Sequence, residues 1–423
     1  MRCSEKENKN MDNIKHKRVC DVGVCTACRS CLQVCPQNCI SLYNDKYDNA
    51  VALYDVNMCI NCGRCQSACP QISDVELNSP LECYAGWSTD ENVRKQSASG
   101  GIATEIYKYY AGQNTSYVGV TFDDTFKAVY EVRSSYKESL NFQNSKYVES
   151  DTQAVFQVVG EKLKNHEEVV FIGLPCHLAG LRKYLETIGV ETKNLLLVDL
   201  VCHGVSPYIY LKQHIGAIEK RKKHVAKGCT FRDPDFGTNS YVFSVFDSDK
   251  RFYKKKVHAG DVYQIGYHYG FSYRENCYSC KYARHERIGS LTLADFSGLG
   301  KVQHLDEEIR DVSCILVNDL KGKKILSDLV AKGKIVVLQR PLEEALNYEK
   351  QLNSPTPLKK ERFVFLREYE INRNFELSMQ VATRKIVFHN DLKNIFHYEM
   401  LRKIISRMLP GAVKKAVKFF FTK

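Results

Sequence analysis

The chain has 423 residues, more than one domain of the usual ~100 to 200, so about two or three folding units are expected. A hydrophobic content of 44% with 26% charged residues excludes a disordered or collagen-like chain, and no apolar run reaches the ~18 residues of a spanning helix. The formal charge of +12 leaves several classes of acidic partner open, while 18 cysteines behind a polar amino end read as metal chemistry in a cytoplasmic setting rather than as disulfides.

Residues 1–19 are polar and charged and are expected to be disordered. Residues 20–75 carry one cysteine pattern twice. Cys25, Cys28, Cys31 and Cys35 before Pro36 read C-x2-C-x2-C-x3-C-P, and Cys59, Cys62, Cys65 and Cys69 before Pro70 repeat it. Three thiolates in a tight loop hold three corners of an iron–sulfur cube, and the fourth cysteine is aimed at the other cube. Cys25, Cys28, Cys31 and Cys69 are therefore assigned to one 4Fe-4S cluster, and Cys59, Cys62, Cys65 and Cys35 to a second. Zinc sites favour paired ligands and disulfides an oxidising compartment, and neither fits this spacing as well. The stretch resembles the bacterial two-cluster ferredoxin motif, so an α+β ferredoxin module is expected.

A polar linker leads to residues 81–350, where short β-branched or aromatic runs alternate with helical patterns, the signature of an α/β domain. Strands are expected at 83–88, 117–122, 128–133, 168–174, 194–202, 291–296, 312–318 and 334–339. Helices are expected at 101–111, 152–164, 178–187, 207–222 and 323–332, and a small antiparallel insertion between 224 and 256. The turn Q-S-A-S-G-G, ending at Gly101, precedes a helix; its free N–H groups and small side chains suit a phosphate or flavin edge, with a plain helix cap as the alternative.

An apolar strand from Phe171 stops at Cys176, which opens a helix whose dipole favours the thiolate. A second strand ends likewise at Cys202, His203 and Gly204. If the two are parallel neighbours, both cysteines emerge at the carboxyl edge, where open α/β sheets bind ligands. Cys277 and Cys280, a C-x2-C pair, bring the thiols to four. Two readings stay open: a third cluster, or two small core thiols beside a zinc-binding pair. His177 and His203 follow the ligand candidates and are candidates for proton transfer. Cys3, Cys20, Cys39, Cys83, Cys229 and Cys314 lack partners at useful spacing and read as bystanders.

Together these turns resemble the coenzyme F420 hydrogenase/dehydrogenase beta subunit family over about residues 80–350. The motifs are S-x-S-G-G from Ser97, S-K-Y-V-x-S from Ser145, G-x-P-C-x from Gly173, V-C-H-G from Val201, C-x-x-C-K-Y-A from Cys277 and D-F-x-G from Asp295. The resemblance implies a flavoprotein core with its own 4Fe-4S cluster, fused here to the two-cluster module. It makes Cys176, Cys202, Cys277 and Cys280 the ligands of a third cluster. It also makes Ser97, Ser99, Gly100, Gly101, Lys146 and Tyr147 contacts of FAD, with Lys146 a catalytic candidate. Relatives with this layout tend to carry an aromatic where Ser297 stands, so no ring stacking is expected from that segment.

These features read as an iron–sulfur flavoprotein oxidoreductase that passes electrons between a ferredoxin-type redox partner, its clusters and FAD, and so reduces or oxidises an organic substrate. The alternative is a non-catalytic electron-transfer adaptor feeding a partner enzyme. The resemblance also points to polysaccharide biosynthesis enzymes as partners. Residues 351–423 are expected to be a helical basic tail; from Met400 it carries Arg402, Lys403, Arg407, Lys414, Lys415, Lys418 and Lys423 and no acid. Its mixture of apolar and basic residues suits an anionic membrane surface, a peripheral contact at the inner face. No nucleic-acid partner is expected.

Overall fold

The computed structural model describes residues 15–248, 250–307 and 309–395. Near the amino end, β1 (His16–Arg18), β2 (Ile40–Asn44) and β3 (Ala50–Asp55) form an antiparallel sheet in the order β1-β3-β2. Each cysteine loop runs into a one-turn helix, α1 (Ser30–Gln33) in the first and α2 (Arg64–Ser67) in the second. The sequence repeat is also a backbone repeat: Ala27 and Arg29 in one loop, and Asn61 and Gly63 at the matching places in the other, all have positive φ. Left-handed residues alternating with right-handed ones turn successive N–H groups toward one point, a concavity suited to an anion.

Residues 15–19 depart from the expected disorder. β1 pairs with β3 from His16↔Asp55 to Arg18↔Leu53, and Val19 is buried beside Ile40 and Ala52. Burying that apolar side chain and closing the sheet outweigh the polar composition. Residues 1–14, with Cys3, lie outside the described residues.

The body is built on a nine-stranded mixed sheet. β4 (Glu82–Ser88), β5 (Thr115–Phe122), β6 (Ala128–Arg133), β7 (Ser150–Asp151), β8 (Glu168–Gly173) and β9 (Leu195–Leu200) come first in the chain. A separate antiparallel sheet, β10 (Gly228–Thr230), β11 (Val242–Asp247) and β12 (Lys250–Lys256), follows. β13 (Leu291–Asp295), β14 (Ser313–Val317) and β15 (Ile335–Arg340) complete the large sheet in the order β15-β4-β14-β13-β9-β8-β5-β6-β7. The eight strands expected from the alternation are all in it, with ends shifted by up to about two residues. β5, β8, β9 and β13 run parallel, so their carboxyl ends share one edge. β8 and β9 read as continuous apolar runs because both of their faces are covered.

The helices that position the site are α3 (Ile102–Tyr109), α4 (Val155–Lys164), α5 (Pro175–Thr187), α6 (Tyr208–Lys222), α7 (Val262–His268) and α8 (Leu320–Ala331). α3 and α8 cover one face of the sheet, α4 and α5 the other. α5 starts at Pro175, earlier than the apolar pattern alone indicated, because proline fixes a helical φ and gives up an N–H that the first turn leaves unpaired anyway. Cys28, Val34 and Ala68 from the amino-terminal module join the core beneath α4 and α5, so the module shares a core with the body.

Residues 351–395 are not a free tail. α9 (Lys360–Asn372) and α10 (Phe375–Ile395) bury Phe365, Tyr369, Phe375 and Met379 against Tyr210, Phe243 and Tyr263. Charged residues between these apolar positions concealed them in the sequence. The basic run that follows, 400–423, lies outside the described residues. Among the described residues no helix is long and apolar enough to cross a membrane.

α10 is also held by a buried charge network. His214 on α6 stands between Glu376 (2.7 Å from Nδ1) and Asp261 (3.1 Å from Nε2), and Tyr253 donates to Asp261. Burial opposes the imidazolium, but the two carboxylates outweigh it and raise His214 to about 9. Burial likewise opposes the Asp261 carboxylate, which His214 holds down at about 2. The histidine's contribution is complete below its ordinary value near ~6.5 and is lost as pH rises through about 9. Asp261's contribution is complete above ~3.9 and fades as pH falls toward about 2. His214→Ala leaves two carboxylates facing each other and is expected to destabilise the chain by about 3–5 kcal/mol. Hydrogen exchange should then show α10 opening first, with the wild-type helix losing protection only above about pH 9.

Candidate functional site

The interleaving expected from the repeat is what the structure assembles. Cys25, Cys28, Cys31 and Cys69 line one cavity of about 330 Å³. Cys65, raised by burial, also feels Cys59, Cys35 and Cys62, which places the other four thiols together. Cys31 feels Cys65 as well as Cys28, Cys25 and Cys69, so the two sets are neighbours. The first is the inner set. The second is the outer set: Cys62 is exposed, and Met58 and Ile60 beside it are 52% and 59% exposed.

Two supposed bystanders sit at these sites. Cys20 lines the inner cavity beside Cys25 and Cys69, lowering both thiols and being raised itself. Cys39 Sγ stands 3.5 Å from Cys35 Sγ. Spacing could not reveal either, because the β1–β3 sheet, not the loops, carries Cys20 to the cavity. Cys83 and Cys314, buried on adjacent strands β4 and β14, are also thiol neighbours.

A third cavity, of about 620 Å³, lies at the carboxyl edge of the large sheet and is lined by Cys176, Cys202, Cys277 and Cys280. Cys176 comes from the first turn of α5, Cys202 from just past β9, and the pair from the turn Glu275–Ser279 and its end. Burial raises Cys202 to about 12 and Cys277 to about 11, and raises Cys176 too, each with a neighbouring thiol adding to the rise, while for Cys280 burial wins against backbone hydrogen bonds and Arg287. Such thiols stay protonated until a metal displaces the proton. A buried pair ties two of the three sources together. Asp199 of β9 takes Arg287 Nε at 3.0 Å and Nη2 at 2.5 Å on one oxygen, and Gly289 N on the other. All described cysteines are free thiols. Among the described residues, no three Cys, His, Asp or Glu side chains stand close enough to share a single metal ion. Three sets of four thiols, the inner and third of them around a cavity, fit 4Fe-4S groups.

The inner and third sets are contiguous. Cys28 lies against Gly180 of α5, one turn past Cys176, and Cys176 and Cys280 pack on the same core as Cys28. Tyr282 donates to the Pro70 carbonyl at 3.1 Å, and its hydroxyl, kept protonated by burial, also feels Cys176, Cys28, Cys280 and Cys69. A Cβ on Gly180 would fall 2.8 Å from Cys28 Sγ and 2.9 Å from its Cβ. Alanine for a helical glycine ordinarily gains about 0.5–1 kcal/mol. Here Gly180→Ala is expected instead to cost about 1–3 kcal/mol through overpacking and to lower the iron content of the inner set. Thermal unfolding and iron assay check this; a more stable, fully loaded variant would contradict it.

The residues that the resemblance assigned to FAD are engaged otherwise. Ser97 Oγ donates to the Val93 carbonyl at 2.7 Å and Ser99 Oγ to the Val312 carbonyl at 2.9 Å, while Gly100 N donates to Ser313 Oγ at 2.9 Å. A Cβ on Gly100 would fall 2.2 Å from the Gly86 carbonyl oxygen, and Gly101, at φ +84°, caps α3. The turn is a joint between α3, β4 and β14, its glycines required by the close approach of the sheet; as folded it does not fit a flavin cradle. Lys146 Nζ lies among the carbonyls of its own turn, 2.8 Å from Gln143 O and 3.1 Å from Phe142 O, and burial lowers it to about 7. Tyr147 stacks on Tyr267 with centroids 4.8 Å apart. His177 lines the third cavity, is lowered by burial to about 4 and meets the Tyr130 hydroxyl at 3.2 Å. His203 also lines it, half exposed, 3.6 Å from Glu349.

The D-F-x-G segment carries a group that no motif announced. Buried Arg232 makes both Nη1 contacts to Asp295, at 3.0 and 2.8 Å, and lies over the ring of Tyr241, whose hydroxyl also donates to Asp295. Ser297 Oγ reaches Glu349 at 3.4 Å beside a cavity of about 240 Å³.

Residues 24–72 match the family model of the 4Fe-4S dicluster domain, and residues 166–341 match the family model of the carboxyl-terminal part of the coenzyme F420 hydrogenase/dehydrogenase beta subunit. Both agree with the resemblances read from the motifs. A chain of the F420-reducing NiFe hydrogenase complex from Methanosarcina barkeri is 17% identical, covers 72% of this chain and 94% of its own, and superposes with a TM-score of 0.42. No curated protein matches the chain.

Proposed function

We propose that this chain, a 4Fe-4S dicluster module joined to a hydrogenase/dehydrogenase beta-subunit region, is an iron–sulfur electron-transfer oxidoreductase subunit whose three cysteine sets form one relay. The observation that carries the reading is the contact of Cys28 with α5 one turn beyond Cys176, which puts the inner and third sets on one shared core. Bound at these sets, 4Fe-4S clusters supply one-electron transfer at potentials that surroundings tune over roughly −700 to +450 mV.

The chain's own residues define the ends of the route. The outer set meets solvent at Cys62, where exposed Met58 and Ile60 offer an apolar landing for a redox partner protein. The inner set is closed off by the shared core. At the far end, the third cavity reaches the surface beside half-exposed His203, where an acceptor or donor would approach. His177, held neutral by burial, carries no charge into that cavity. The FAD implied by the family resemblance is given no step, because the Ser97–Gly101 turn uses its hydroxyls and its glycines internally.

Anaerobic reconstitution followed by iron, sulfide and flavin counts tests the reading. About twelve irons per chain, four for each cube, are expected. About eight would confine the clusters to the amino-terminal module and end the three-site relay. Stoichiometric FAD would require a cradle other than the Ser97 turn and would return the chain to flavin-linked, two-electron chemistry.

A further inference from the structure

Arg274 stands where the amino-terminal module meets the third cysteine set, and one of its donors is left over. The residue is 3% exposed. Its Nη1 donates to the Glu149 carboxylate at 3.0 Å and reaches the Thr26 carbonyl at 3.5 Å, while Nη2 donates to the carbonyls of Cys25 at 3.2 Å and Ala50 at 2.7 Å. The Nε is buried and has no partner among the described residues. Arg274 also lines the cavity shared by Cys176, Cys202, Cys277 and Cys280. A buried donor without an acceptor is costly, and such a group in a folded chain calls for an acceptor from outside the polypeptide.

We propose that Arg274 Nε–H donates to a sulfur of the cluster held by Cys176, Cys202, Cys277 and Cys280, and that its guanidinium fixes that cluster against the inner one as a positioning residue. This rests on the three-site reading above. The fork-shaped side chain joins both parts: Nη1 and Nη2 hold Glu149 and the backbone at Thr26, Cys25 and Ala50, and the same side chain lines the cavity of the other set. Burial opposes its charge, and the Glu149 carboxylate at 3.0 Å offsets that. Arginine does not deprotonate in proteins, so the charge between the sets is permanent. Glu149 neutralises part of it from the side away from the unpaired Nε. Hydrogen bonds to cluster sulfurs and nearby charge are two levers on cluster potential, and both favour the reduced, more negative state. Arg274 therefore raises the potentials of the inner and third sites together while leaving the outer one alone. Lysine could replace the charge but not the planar fork.

The test uses the reconstituted full chain with 15N-labelled arginine. Pulsed EPR of the reduced third cluster should show coupling to an arginine nitrogen, lost in Arg274→Lys. EPR-monitored redox titration should show both inner and third signals shifted to more negative potential in Arg274→Gln, with the outer signal unmoved. Absence of nitrogen coupling in the unsubstituted chain overturns the proposal, and that measurement decides even if a variant folds poorly. Unchanged potentials in an Arg274→Gln chain that keeps its full iron also overturn it. A wild-type count of about eight irons removes the third cluster and the proposal with it, whereas about twelve irons without the coupling would leave the relay standing and remove Arg274's role alone.

Discussion

Replacing Cys277 and Cys280 together with alanine should remove about four of about twelve irons per chain and leave the rest in the amino-terminal module. The pair is chosen because the two thiols come from one turn, so the Cys176 and Cys202 thiols remain but cannot complete a cube. The inner and outer sites lie in a separate cysteine lattice, held by the positive-φ loops around Ala27, Arg29, Asn61 and Gly63, and should keep their spectra. Electrons from a redox partner should then still reach the inner set and stop there. Loss of irons from all three sites would mean that the third set is needed for folding rather than as one end of a relay. Retention of every iron would mean that these cysteines hold none.

Breaking the Asp199–Arg287 pair should have a large effect on stability. Both side chains are essentially buried, and the aspartate binds the arginine fork and Gly289 N at once. Asp199→Ala leaves an uncompensated guanidinium at the end of β9, at an expected cost of about 3–5 kcal/mol. The damage should be local before it is global. Arg287 also holds the carbonyls of Tyr282 and Arg284, and it pairs with Asn78, so the loop that carries Cys277 and Cys280 loses its anchor to the strand that carries Cys202. Reconstitution of the third site should fail at temperatures where the amino-terminal module still binds iron. Denaturant unfolding and site-resolved iron loss would check this; a variant that loses all three sites in one step would contradict it.

How far the sequence spoke depended on whether a feature was local. The cysteine repeat was fully legible because its spacing is the geometry: three thiols per loop and a fourth for the neighbour gave the inner and outer sets residue by residue. The strands were legible because Val, Ile and Leu runs at β8 and β9 have no other stable home, and from their parallel pairing the edge position of Cys176 and Cys202 followed. Groups assembled from distant segments were not legible. Arg274 and Tyr282 meet the module's backbone only after it docks on the body, although Tyr282 stands in the C-x-x-C-K-Y-A motif, and Cys20 reaches its cavity only once β1 pairs with β3. The Ser97–Gly101 turn stayed open to two readings, since small residues before a helix suit a bound anion and a tight backbone joint equally well. Helix was expected beyond residue 351, but the packing of α9 and α10 was hidden because Phe365, Tyr369, Phe375 and Met379 are spaced among charges, and their burial depends on a partner surface formed by α6 and the small sheet.

The measurement that bears most directly on the relay is EPR of the fully reduced chain, compared with the chain lacking Cys277 and Cys280. Reduced cubes in adjoining pockets couple magnetically, so the inner signal should be split in the wild type and should simplify when the third site is removed. An inner signal of identical shape in both chains, at full iron loading of the wild type, would place the third site out of contact and contradict the account.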